Sequence, residues 1–325
     1  ATVIKTKSLT LYIHDGFYME AYDANGHLLM EDYRGQRVKK VALDQKAADL
    51  LEAEGHDASK SEGGDYAVQT LKVLASEDSF YGLGDKSGFL NKRHYEYENW
   101  NSDLPQAHTE DFHALYKSIP FLICLRKDCV YGLFFDNTFH SYLNLGKESE
   151  EYFCYGADDG NLDYYILGGE TMAEVIKNYT YLTGRTPLPQ LWTLGYHQSR
   201  WGYTSAKDIM EIAEKYRKLQ IPCDVIHLDI DYMDNFKVFT WDEEYYNKKG
   251  VLCDKMEQLG FKPVTIIDPG TKKEDGYFMY EEGVEKGYFA KDTEGNIYVN
   301  EVWPGESVFP DFGRKEVRDW WADHH

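Results

Sequence analysis

Apolar residues recur along this chain with two periods, one after the other. Up to about residue 165 the period is two. Leu9, Leu11 and Ile13 alternate with Thr10, Tyr12 and His14, and Phe17, Met19 and Ala21 repeat the pattern ahead of the turn Asp23-Ala24-Asn25-Gly26. Residues 68–74 alternate again. The runs 119–125 and 130–135 flank the polar turn Arg126-Lys127-Asp128, and 152–155 and 163–167 read as further strands. Many short strands separated by turn residues predict a β-sandwich. Residues 49–65 are polar and Gly-rich and read as a surface loop led by a short helix.

The helical period then takes over. Thr171 and Glu174 form a capping box, Met172, Val175, Ile176 and Tyr179 share one face, and Gly184 closes the helix in the left-handed conformation. Pro187 and Pro189 follow, and the expected boundary divides the chain into 1–187 and 188–325. Past it the pattern is strand, helix, strand. The run 194–197 is a strand. Ser205, with Asp208 three residues on, caps a helix whose inner face is Ile209, Ile212, Ala213 and Tyr216. The run 225–228 is a second strand. A helix at 251–259 ends at Gly260, and a third strand at 264–267 is tipped by Asp268. Residues 271–312 read as irregular. Residues 315–325 read as a helix with Val317, Trp320 and Trp321 on its apolar side.

Three strands with polar C-terminal tips and helices between them predict the opening of a (β/α)8 barrel, whose sites lie at that C-terminal face. The fold class expected is therefore α+β and multidomain, a β-sandwich followed by the first part of a TIM barrel. Three strands do not close a barrel, and Trp320 and Trp321 have no later element to pack against. These residues read as the front of a longer chain, or of an assembly that supplies the rest.

The barrel tips carry the candidate chemistry. Asp229 and Asp231 stand at i and i+2 after the second strand, where strand geometry puts both side chains on one face. Asp268 ends the third. A single aspartate at a strand end commonly caps a helix. Three around one rim suit glycoside hydrolysis, hard-metal binding or hydrogen bonding to sugar hydroxyls. Trp201 and Trp303 are candidate walls for a sugar ring. His197 and His227, inside apolar runs and without ligand spacing, read as hydrogen-bonded barrel histidines rather than a metal site.

Charge and cysteine usage narrow the classes. With 35 basic and 56 acidic residues the net charge is −21, which disfavours nucleic acid and anionic lipid as partners. No N-terminal run has signal-peptide form, and no window is long enough to span a membrane. The five cysteines have no C-x-x-C spacing and lie mostly in apolar runs, so they read as buried reduced thiols and the expected location is cytoplasmic.

From about residue 66 onward the chain resembles glycoside hydrolase family 31, the α-glucosidase family. The resembling runs, in order, are Y-G-L-G-D-K at 81–86, L-Y-K-S-I-P-F at 115–121, Y-G-L-F-F-D-N at 131–137, G-R-T-P at 184–187, H-Q-S-R-W-G-Y at 197–203, D-I-D-Y-M at 229–233, I-D-P at 267–269 and V-W-P-G at 302–305. The resemblance implies a galactose-mutarotase-like sandwich before the barrel. It gives Asp229 the role of hydrogen-bonding the terminal sugar, with Ile230 and Ile266 lining that pocket and Trp303 stacking on the sugar. Trp201 falls where the family's linkage preference is set. Asp103 matches a sandwich loop that helps form the leaving-group subsite. Asp231, Asp268 and Arg200 become supports behind these groups.

One departure stands out. The family's nucleophile lies in a W-x-D-M-N-E segment, which this sequence lacks, as it lacks the later acid/base aspartate. The catalytic pair is expected outside these residues, and residues 1–325 alone should hydrolyse nothing. The resemblance thus implies the front of a retaining, exo-acting α-glucosidase that needs no cofactor or metal. Its partners would be small α-glucoside oligosaccharides, and self-association into a homo-oligomer is left open. The competing readings are an α-xylosidase or transglycosylase of the same family, or a non-catalytic carbohydrate-binding fragment.

Overall fold

A computed structural model describes residues 1–37 and 66–325; the expected loop at 49–65 lies outside the described residues. The chain divides into two units, Ala1–Arg185 and Thr186–His325.

The first unit holds three four-stranded antiparallel sheets. One runs β1 (Thr2–Lys5), β2 (Leu9–Ile13), β3 (Met19–Asp23), β4 (Leu28–Glu31). The second comprises β5 (Val68–Val73), β11 (Tyr152–Ala157), β10 (Ser141–Asn144) and β7 (Glu96–Asn99). The third comprises β12 (Tyr164–Gly169), β9 (Cys129–Phe135), β8 (Ser118–Arg126) and β6 (Ser79–Gly84). All three feed one core, with Ala21 and Met30 from the first, Tyr97, Leu143 and Tyr155 from the second, and Phe80, Leu122 and Leu133 from the third. Strand alternation decides what faces it. Along β8, Leu122 and Cys124 point into this core. Phe121 and Ile123 turn the other way and meet Val175 of helix α1 (Met172–Thr183). Thr171 caps α1 as its spacing predicts, accepting from the Glu174 amide. Gly184 departs from expectation. Its φ of 101° is positive, but its ψ of 160° makes the helix exit extended rather than left-handed.

Three buried acid–base pairs stand out in this unit, whereas buried Lys92 donates, among the described residues, only to the carbonyls of Lys86 and Ser87. Asp78 accepts from Arg126 Nε at 2.7 Å and from its Nη2 at 2.8 Å. Glu148 takes Arg37 at 2.7 and 2.8 Å. Lys72, almost wholly buried, donates to Asp32 and, at 2.8 Å, to the Tyr164 hydroxyl.

The second unit begins a parallel sheet, ordered β13 (His197–Gln198), β14 (Val225–Leu228), β15 (Lys262–Thr265). Helix α2 (Ala206–Lys218) links the first two, capped by Ser205 as expected. A short helix α3 (Glu243–Tyr246) and then α4 (Lys249–Gln258) link the next pair. Arg217 at the end of α2 donates to Leu259 O at 2.6 Å and to Cys223 O at 3.0 Å, tying both helix-to-strand turns together.

Three expectations are corrected here. The strand expected at 194–197 starts only at His197, because Leu191–Leu194 forms a 3-10 turn. A four-residue apolar run fits either conformation, and periodicity cannot separate them. The region read as irregular, 271–312, contains β16 (Thr271–Lys272), helix α5 (Phe278–Glu285) and the hairpin β17 (Val299–Val302)–β18 (Gly305–Val308). Elements this short show too little pattern to be seen in sequence. The tryptophans of α6 (Lys315–His324) do find partners. Trp320 is 5% exposed and donates to Glu282 at 2.9 Å, and Trp321 packs edge-on against Phe239 and Phe312. The partners lie in the stretch read as irregular and in the loop after β14.

Candidate functional site

The site grows from the tip of β14. Ile226 and Leu228 point into the helix-packed core, which leaves Val225 and His227 on the opposite face of the sheet. The strand stops at Leu228. Asp229 then caps a 3-10 turn, Ile230–Tyr232, accepting from the Ile230 amide at 2.8 Å. The i, i+2 rule for strands therefore does not apply to Asp229 and Asp231, which corrects the geometry expected above. The Tyr232 hydroxyl donates to Ile266 O at 2.8 Å and locks the tip of β14 to that of β15. Sequence reasoning missed this clamp, because it carried strand geometry past Leu228 to Asp229 and Asp231 and gave Tyr232 no role.

Electrostatics unite the three aspartates. Burial and then the Asp229 charge raise the carboxyl of Asp231 above the usual carboxylate range. The same two causes raise that of Asp268. Asp229 is thus the common neighbour of both. One oxygen of Asp231, Oδ2, is buried with no hydrogen-bond partner among the described residues. Three acids with no cation paired to them among the described residues form an acceptor-rich patch that attracts hydroxyl donors.

The apolar candidates divide. Ile230 is 6% exposed and belongs to the core behind the turn, whereas Ile266 is 38% exposed at the rim. Trp201 follows β13 at 75% exposure, and Trp303 tops the β17–β18 hairpin at 66%. Neither indole stacks on another ring among the described residues. Gly270 lets that hairpin lie close, since a Cβ there would meet Val302 Cγ2 at 2.7 Å. Arg200 is exposed and forms no ion pair among the described residues. Asp103 lies in the first unit, exposed, and accepts from the Tyr116 hydroxyl at 2.9 Å. Its assignment rests on the resemblance alone. Among the described residues no group of three or more His, Cys, Asp or Glu is placed to hold a metal. A cavity of about 560 Å³ lies outside α2, lined mainly by Tyr196, Ile212, Tyr216 and Leu219, and carries no acid.

Comparison with known proteins agrees with this architecture. Residues 186–325 match the glycosyl hydrolases family 31 TIM-barrel domain. Residues 1–144 match the glycosyl hydrolase 31 N-terminal galactose mutarotase-like domain. The chain is 44% identical over 259 residues to alpha-glucosidase 2 of Bacillus thermoamyloliquefaciens, an alignment covering 79% of this chain and 33% of that protein. It is 30% identical over 251 residues to an alpha-glucosidase of Saccharolobus solfataricus, covering 77% and 36%. In structure it resembles a Flavobacterium johnsoniae family 31 dextranase complexed with glucose. The TM-score is 0.82 at 31% identity, covering 99% of this chain and 38% of that one. The chain spans about a third of the length of the curated relatives it matches.

Proposed function

Because the chain belongs to glycosyl hydrolase family 31, we propose that the polypeptide carrying it is a retaining, exo-acting α-glucosidase. It would release glucose from the non-reducing end of small α-linked oligosaccharides. The observation that carries this reading is the trio Asp229, Asp231 and Asp268 at the strand tips, with Asp229 acting on the other two and no cation among the described residues paired to them. Such a patch accepts hydrogen bonds from several hydroxyls of one pyranose.

In this reading Asp229 binds the sugar directly and Ile266 gives the pocket its apolar edge, while Ile230, expected to line the pocket as well, packs in the core behind the turn. Trp303 stacks on the ring and Trp201 sets linkage preference. Asp231 and Asp268 stand beside Asp229 and add their acceptors to its own, while Arg200, expected as a further support, forms no ion pair among the described residues. The double displacement needs two further carboxylates, one to attack the anomeric carbon and one to give and then take a proton. No residue of this chain is assigned to either task, since the family's nucleophile segment is absent from its sequence.

A second reading within the same chemistry favours α-1,6-linked chains, supported by the similarity to a dextranase that has been complexed with isomaltotriose. We place the protein in the cytoplasm, a reading supported by thiols kept protonated by burial at Cys124, Cys129 and Cys223. No helix among the described residues is long and apolar enough to cross a membrane. Hydrolysis rates of the full-length polypeptide on p-nitrophenyl α-glucoside and α-xyloside test the substrate. The glucoside should be faster, and a faster xyloside would move the assignment to α-xylosidase.

A further inference from the structure

Below the rim, two histidines of adjacent strands face each other. His197 Nδ1 lies 3.2 Å from His227 Nε2, and His197 Nε2 lies 3.1 Å from Thr193 O. A carbonyl only accepts, so His197 carries its proton on Nε2 and presents a bare Nδ1. His227 must then donate from Nε2, which leaves its own Nδ1 as an acceptor. The two contacts thus fix both tautomers. His227 shares its strand face with Val225, opposite the helix-packed core, and stands two residues before Asp229. His197 stands four residues before Trp201. The pair therefore bridges the two strands that carry the direct sugar contacts proposed above.

We propose that His197 and His227 form a proton-reversible positioning pair that holds the tips of β13 and β14 in register and sets the acid limit of the sugar site. One proton from solvent enters at the open acceptor of the pair, Nδ1 of His227, so that nitrogen changes from acceptor to donor while Nε2 goes on donating to His197. A second proton puts two imidazolium ions face to face.

Among the described residues, six charged groups lie on the strands and strand ends around the pair. Five are Asp229 and Asp231 after β14, Asp268 after β15, the exposed Arg200 after β13, and Asp224 at the foot of β14. The sixth, Lys262, at the foot of β15, is exposed and lies 3.7 Å from Glu257. Burial, and then the charge of His197, lower the pKa of His227 below its ordinary value, so the folded chain resists protonation there. The sign follows. A depressed histidine pKa means the unfolded chain binds more protons, so stability falls as pH drops through and below the ordinary histidine range.

This inference rests on the α-glucosidase reading only for its activity readout. The test compares the full-length wild type with His197→Gln, His227→Gln and the double variant. It follows kcat/KM on p-nitrophenyl α-glucoside and the urea midpoint, each from pH 5 to pH 7.5. For the wild type, kcat/KM should fall at least fivefold between pH 7 and pH 5 beyond any fall in the double variant, and its urea midpoint should drop more steeply. Either single variant should flatten both profiles as far as the double does, because the pair acts as a unit. Superimposable profiles would overturn the pair, as would single effects that simply add. If the wild type cleaves no α-glucoside, the functional reading fails, and the urea profiles alone support or overturn the pair.

Discussion

In the sandwich, Asp78 is completely buried, yet both its oxygens meet Arg126, at 2.7 and 2.8 Å. In the barrel segment, Asp231 has a buried oxygen with no hydrogen-bond partner among the described residues, and the charge of Asp229 works against its ionisation. The same side chain is thus used in two ways. The sandwich neutralises its interior acids with guanidinium and ammonium groups, Arg126 on Asp78, Arg37 on Glu148 and Lys72 on Asp32. At the barrel rim, no cation among the described residues pairs with Asp229, Asp231 or Asp268, although Lys237 and Lys272 pair with Asp234 and Glu274 further along. A paired acid has its acceptor capacity filled and serves the fold. An unpaired cluster costs stability and retains open lone pairs, which is the condition for binding a ligand rich in hydroxyls.

The largest way to break this contrast is to unpair a sandwich acid. Arg126→Leu would strand Asp78 in the core and should cost about 3–5 kcal/mol, the usual range for breaking a buried pair. Urea unfolding checks it, and a loss under about 1 kcal/mol would mean that Asp78 is not held by charge pairing. Asp229→Ala should instead cost only about 1 kcal/mol of stability for the lost cap and lower kcat/KM of the full-length polypeptide by more than about a hundredfold, on the order of 3 kcal/mol. A loss below about tenfold would remove Asp229 from the sugar contacts.

A smaller effect of opposite sign is expected at Asp231. Its raised pKa means the folded state holds a proton more tightly than the unfolded state does. Stability therefore falls as pH rises through the interval between the ordinary carboxylate value and the raised one. Asp231→Asn should stabilise the protein at pH 7 by less than about 1 kcal/mol after solvent screening, with no gain once the acid is protonated. A destabilised Asp231→Asn at pH 7 would show that the charge is matched after all. The mildest substitution is Trp201→Tyr, which should change the maltose-to-isomaltose turnover ratio by at least about twofold and leave the melting temperature unmoved, since its indole is 75% exposed and stacks on no other ring among the described residues. An unchanged ratio would argue against a role in linkage preference.

How much of this was legible in the sequence depends on element length. The long alternating runs around β8 and β9 and the capped helices at Thr171 and Ser205 announce themselves through period and cap chemistry. The two-residue strand β13 and the β17–β18 hairpin do not. The three aspartates were visible as tips, but their mutual geometry was not. The strand ends at Leu228 and a 3-10 turn intervenes, a choice made by the Asp229 cap and the Tyr232 clamp to Ile266. Trp320 shows the same limit. Its partner Glu282 lies in a helix of eight residues that the hydrophobic pattern did not reveal.

The most direct test of the central claim is a crystal structure of the full-length polypeptide with glucose bound. The account predicts a pyranose ring with hydroxyls at hydrogen-bond distance from Asp229, Ile266 at its edge, and Asp231 and Asp268 directly behind. Glucose bound elsewhere, with the three carboxylates turned away from it, would contradict the claim.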